Sequence, residues 1–212
     1  MNIRVAKKSD RKKLADIHIE CGKVQTNGFM HTLGILFLRT YYYLLLNEKH
    51  SLILLAEDEN GYALGFHSGT IKAEEHLLNL KRNKLILGLS LIPAVLFNPM
   101  IIIEIFRRNR FVSNTNKNSY GVNNGPRAEY WAWRPSNVNS SGAIVLRTAW
   151  SNVMYDLGCK SFKLEVDLSN TDIRKYSKAF SCTVLEEKTL PDGRKRVIME
   201  QKIIKRKNSN RE

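Results

Sequence analysis

Residues 131–157 read Trp-Ala-Trp-Arg-Pro-Ser-Asn-Val-Asn-Ser-Ser-Gly-Ala, then Ile-Val-Leu-Arg-Thr-Ala-Trp-Ser-Asn-Val-Met-Tyr-Asp-Leu. Strand-forming residues run up to Pro135 and a small polar run follows. Apolar pairs then return at helical spacing, at Val145/Leu146, Ala149/Trp150, Val153/Met154 and Leu157. The stretch predicts a strand, a tight loop and a helix. Such a junction turns several main-chain N–H groups and the positive end of a helix toward one point, which suits an anion and phosphate in particular.

Upstream, residues 3–6 read as a short strand, and Ser9-Asp10 as the cap of a helix carrying Leu14, Ile17 and Cys21 on one face. Residues 32–46, with Tyr41, Tyr42 and Tyr43 in succession, are apolar on nearly every side and predict a helix buried on more than one face. Two apolar runs, 51–56 and 62–70, flank Asp58-Glu59-Asn60-Gly61, whose Asn-Gly step predicts an antiparallel hairpin. Residues 71–110 change to helical runs broken at Pro93 and at Asn98-Pro99, an inserted group of helices. The asparagine-rich segment up to Pro126 predicts a mobile loop over 111–126. Downstream, Gly158 is placed to end the central helix, 162–167 alternates as a strand, and 170–180 is a short amphipathic helix with Ile173, Tyr176 and Phe180 on one side. Two further strands around Pro191-Asp192-Gly193 close the chain, before a basic tail at 205–212.

The 212 residues, 43% of them hydrophobic, suffice for one good core, so 1–204 reads as a single domain. Cys21, Cys159 and Cys182 are too few and too scattered for a disulfide framework or a zinc site, and no leader-like segment precedes Ile3, which points to the cytoplasm. Thirty-four Lys and Arg against 20 Asp and Glu give a net charge of +14, which suits an anionic partner without choosing among nucleic acid, membrane and a phosphorylated cofactor. Nucleic-acid binding has only this charge and the tail in its favour, with no reading motif. The five histidines show no metal-ligand spacing, and His67-Ser68-Gly69 lacks the glycines of a serine-nucleophile elbow, which removes metal and hydrolase chemistry from consideration.

With these elements in this order the chain resembles the GNAT superfamily of acyl-CoA N-acyltransferases over nearly its whole length. Residues 3–21 are similar to the family's opening strand and helix, and Tyr62-Ala-Leu-Gly-Phe-His-Ser-Gly-Thr70 to its strand of pattern hydrophobic, Val, Gly, Phe. Trp131-Ala-Trp-Arg-Pro135 stands where the family has Ile, Ala, Val, any, Pro, and 164–180 where it has a strand, an Asn-led turn and a Tyr-bearing helix. The insert is similar to one found among bacterial acyltransferases. The resemblance implies an α/β (α+β) fold: a central mixed, mostly antiparallel sheet flanked by helices, with the insert as a helical lid.

It also implies acetyl-CoA, or another acyl-CoA, as co-substrate with no metal, and an amine of a small molecule such as an amino sugar as acceptor. The CoA pyrophosphate would rest on main-chain N–H groups of the loop Val138, Asn139, Ser140, Ser141, Gly142 and Ala143, with Trp131, Trp133 and Asn170 beside the cofactor. The family's loop pattern places Arg or Gln at Val138 and Gly at Ser141; of the three marked positions Ala143 alone conforms. The catalytic tyrosine position falls on Ser177, one residue after Tyr176, and a helix turns about 100° per residue. Tyr176 is nonetheless the candidate acid for the departing thiolate. Glu129, on the same alternating face as Trp131 and Trp133, is the candidate acceptor of the amine's proton. The departures equally suit a catalytically silent GNAT-like binding or scaffold protein. Residues 85–106, flanked by Lys81, Arg82, Lys84 and Arg107, are hydrophobic enough either to cover the cleft or core or to lie on an anionic membrane.

Overall fold

The computed structural model describes residues 1–24, 28–114, 123–136, 140–190 and 193–204. Seven strands form one sheet in the order β1-β2-β3-β4-β5-β7-β6, namely β1 Asn2–Val5, β2 Ser51–Glu57, β3 Ala63–Thr70, β4 Arg127–Trp133, β5 Ser161–Asp167, β6 Thr183–Thr189 and β7 Lys195–Lys202. All neighbours are antiparallel except β4 and β5. The Asn60-Gly61 step makes the β2–β3 turn, with Gly61 at φ +76°, where a side chain would be strained. This is the mixed, mostly antiparallel sheet expected from the sequence.

Helices cover both faces. On one side α1 (Arg11–Val24) and α2 (Gly34–Leu46) bury Leu14, Ile17, Leu38 and Tyr42 against Ile53, Leu55 and Phe66. On the other, α7 (Ser140–Asp156) buries Leu146, Trp150 and Met154 against Leu52, Leu54, Phe162 and Leu164, with α8 (Thr171–Ala179) alongside. Successive residues of β2 thus enter opposite cores, which explains an unbroken apolar run instead of an alternating one.

The insert consists of α3 (Ala73–Arg82), α4 (Lys84–Ser90), α5 (Ile92–Phe97) and α6 (Met100–Asn114). Pro93 lies in the first turn of α5, where its missing N–H costs nothing, and Asn98 ends that helix. Leu87, Leu91, Val95, Ile101 and Ile105 pack against the α1–α2 core. α6 runs to Asn114, so the first four residues expected in the mobile loop are helical. The stretch 115–122 of that loop and the tail 205–212 lie outside the described residues. None of the described helices is long and apolar enough to cross a membrane.

Candidate active site

Ser68 of β3 stands opposite two residues of β4. His67 pairs with Trp131 and Gly69 with Ala128, so Glu129 and Tyr130 share one partner. The Ser68 hydroxyl fills the irregularity, accepting from Tyr130 N–H at 3.2 Å and lying 3.4 Å from the Tyr130 carbonyl. A bulge of this kind inserts one residue into the pleat and reverses the faces beyond it. Ala128 faces α7, Glu129 and Tyr130 both face α1–α2, and Trp131 and Trp133 return to the α7 side.

The expected common face of Glu129, Trp131 and Trp133 is therefore wrong. The Glu129 carboxylate lies in a buried cluster, 3.0 Å from His76 Nε2 and accepting from the Tyr41 hydroxyl at 3.2 Å, while His76 Nδ1 lies 2.8 Å from Glu48. Burial favours the neutral acid, but the His76 hydrogen bond and charge outweigh it and keep the Glu129 pKa below the ordinary range. Glu129 is a paired structural carboxylate and lines no part of the cleft.

That cleft, about 490 Å³ in volume, opens where β4 and β5 separate. The two strands meet at Arg127 and Lys163, where Lys163 N–H donates to the Pro126 carbonyl, and they diverge beyond. Arg134 N–H donates back to Leu64 of β3. By the alternation of an antiparallel strand, the N–H and C=O of the preceding Trp133 then point away from β3. The Cys21 thiol donates to that carbonyl at 3.2 Å. The Trp133 N–H faces the opening.

The expected cofactor residues gather at this opening to different degrees. Trp131, Trp133, Ala143, Asn170 and Tyr176 line the cleft. The Trp131 indole donates to the Ala143 carbonyl at 3.1 Å and meets the Tyr176 ring edge-on at 5.2 Å between centroids. Tyr176 thus reaches the cleft although it precedes the expected position, while Ser177 is buried and donates to the Ile173 carbonyl. Asn170 caps α8 by accepting from Ile173 N–H at 3.1 Å. Ser140, Ser141 and Gly142 form the first turn of α7, with Ser141 exposed. A β-carbon on Gly142 would lie 2.7 Å from the Trp133 ring, so this glycine admits an indole. Val138 and Asn139 fall outside the described residues.

Across from α8, the α1 side of the cleft is walled by His18, Cys21, Tyr130 and the turn Met30–Leu33 with His31. His18 Nδ1 is 2.6 Å from the Tyr42 hydroxyl, and its ring lies against Tyr130 at 4.7 Å. Burial, aided by nearby His31, lowers the His18 pKa to about 4 and leaves the imidazole neutral. Burial likewise raises Cys21 to about 11, which keeps it a thiol. No Asp or Glu is among the described residues lining the cleft. Two further buried groups adjoin it: His67, stacked 4.3 Å from Trp150, and Arg147, lying 5.2 Å over Trp131 and bonded to Gln201. Sequence reasoning missed His18, which sits in no metal-ligand spacing; its partner is a tyrosine 24 residues away.

Solved structures of the same architecture cover nearly the whole chain. An acetyltransferase matches at TM-score 0.58 and 15% identity, covering 96% of this chain and 100% of its own. An aminoglycoside 6'-acetyltransferase type Ii gives 0.57 at 12%, with 98% and 100% covered, and the ribosomal-protein-S18-alanine N-acetyltransferase from Escherichia coli gives 0.54 at 12%, with 98% and 97%. The chain has the GNAT acyltransferase fold. At the level of sequence, no protein family and no curated protein matches it. At these identities the likeness speaks for the fold alone.

Proposed function

We propose that the protein is an acyl-CoA-dependent N-acyltransferase that moves an acetyl group to an amine of a small molecule such as an amino sugar. The observation that carries this reading is the parting of β4 and β5, with the outward N–H of Trp133 on one wall, Tyr176 on the other, and the first turn of α7 at the end. The residues present fit an extended thioester: Trp133 N–H is placed to hold its amide arm, and the N–H groups of Ser141, Gly142 and Ala143 suit its phosphates. Acetyl-CoA would supply an activated acyl carbonyl, and the remaining steps belong to the chain.

An ammonium entering a cleft with no carboxylate among its described residues gains no counter-charge there, so the acceptor binds as the free amine. The reaction uses the His18 tautomer whose Nδ1–H donates to the Tyr42 hydroxyl, which leaves Nε2 with its lone pair as the base. The amine nitrogen forms the new bond to the acyl carbon as the C–S bond breaks. The nitrogen's proton goes to His18, the Tyr176 hydroxyl gives its proton to sulfur, and solvent returns the first proton to the tyrosine. Glu129 takes no part.

Calorimetric titration with acetyl-CoA, with Ser141→Trp as control, tests the reading. Saturable binding lost in the variant, followed by turnover with an amine panel, is expected; no binding up to millimolar ligand would overturn it. A catalytically silent GNAT-like binding or scaffold protein is the second reading, favoured by the Trp133 ring filling space at Gly142. Binding without turnover on any amine would select it.

A further inference from the structure

The side of the insert turned away from α2 is apolar and open. Phe97, Leu96 and Leu85 are 92%, 77% and 76% exposed, and Leu89, Met100 and Phe106 stand out with them. An apolar trough of about 340 Å³ runs between α5 and α6, floored by Leu91, Ile92, Val95, Ile102 and Ile105. So many large side chains in one place exceed the scattered leucines of an ordinary surface.

The charges bordering this face are mostly basic. Lys81 and Arg82 end α3, Lys84 begins α4, and all three are exposed. Glu104, the one acid between residues 81 and 107, is paired with Arg107. On the other side of α4 a shallow groove of about 470 Å³ places Ile86 and Ser90 opposite Arg11, Lys12 and Arg39. Arg11 lies over the Tyr43 ring at 5.3 Å, and Arg39 is 3.6 Å from Asp16.

We propose that this face docks the protein on an anionic phospholipid bilayer, with α4 to α6 lying in the interface and Arg11, Lys12, Lys81, Arg82 and Lys84 meeting headgroup phosphates. The occupant is chosen by charge. A second copy placed on the same face would oppose these cations to themselves, on chains already carrying +14. A bilayer surface instead changes from phosphate to hydrocarbon with depth, as this face changes from basic rim to apolar centre. None of the described helices can span, so the contact is in-plane. Because α5 packs on the Met30–Leu33 turn, whose Met30 and His31 line the cleft, docking brings the acceptor side of the cleft near the membrane. The proposal does not depend on the transfer reaction.

The test is co-sedimentation of the full chain with vesicles of phosphatidylcholine alone and of an equal mixture with phosphatidylglycerol, alongside its mass in solution. Retention on the mixed vesicles at low salt is expected, falling about 100-fold for Lys81→Gln/Arg82→Gln/Lys84→Gln at roughly 1 kcal/mol per cation. It should also be lost in Leu96→Glu/Phe97→Glu, whose side chains are 77% and 92% exposed. No retention, equal retention on both vesicles, or retention unaffected by either variant would overturn the proposal. So would a solution dimer that Leu96→Glu/Phe97→Glu dissociates, which would make a second copy the occupant.

Discussion

His76 Nε2 lies 3.0 Å from the Glu129 carboxylate, with the two side chains only 2% and 3% exposed. Burial alone would lower the imidazole pKa, but hydrogen bonds to Glu129 and Glu48 carry it up to about 9. In the unfolded chain it titrates near ~6.5. The pair's contribution is therefore complete below that value and is lost as pH rises through about 9. The melting temperature should fall across this window, and Glu129→Gln should flatten the fall while costing about 3–5 kcal/mol at neutral pH. Thermal melts at several pH values check this; a wild-type melting temperature constant from pH 6 to 9.5 would count against the charged pair.

If Glu129 is structural, the folded fraction of Glu129→Gln retains the wild-type kcat. His18→Ala should instead lose about 10²–10⁴ in kcat, the usual worth of a positioned base. Because the His18 pKa is lowered to about 4, its base form already predominates above that pH, and kcat should show no acid limb near 6.5. A limb at that position, absent from His18→Ala, would place the imidazole in a wetter site than the one described.

Tyr176→Phe keeps the ring that meets Trp131 edge-on. Steady-state kinetics should show kcat lowered about 10²-fold or more with the KM for acetyl-CoA unchanged. A rise in KM at constant kcat would make the tyrosine a binding wall.

Gly142→Ala sets a methyl 2.7–2.8 Å from two atoms of the Trp133 ring. Overpacking of this kind costs about 1–3 kcal/mol. Denaturation of the double variant with Trp133→Leu should recover most of the loss, and additive penalties would show that the indole is not what Gly142 accommodates.

Polycationic acceptors should fare poorly, because no carboxylate is among the described cleft residues to meet a second ammonium. Spermidine should be acetylated about tenfold less efficiently than an amino sugar, the worth of one charge-assisted hydrogen bond. Equal or better kcat/KM for spermidine would mean that a carboxylate reaches the site.

Most of the fold was legible because its signals are short-range. The Asp58 to Gly61 turn, the apolar pairs of α7 and the glycine at 158, with φ +87°, each act within a few residues of themselves. The candidate site was legible only in part. Tyr176, Trp131 and Asn170 were found through their place in the element order, whereas His18, Cys21 and His31 carry no local pattern. Their meaning comes from Tyr42, from the Trp133 carbonyl and from the cleft they share.

The sequence by itself determined the order of strands and helices and the breaks in the insert, since hydrophobic period, turn chemistry and proline geometry are properties of neighbouring residues. Only the tertiary structure decided which face Glu129 takes, because the bulge arises from pairing with Ser68, 62 residues from Tyr130, and one extra residue reverses every side chain beyond it. It also decided which side of the apolar insert is spent on the core and which stays open, because that depends on how α4 to α6 seat against α2, a packing choice that periodicity in segments this short does not encode.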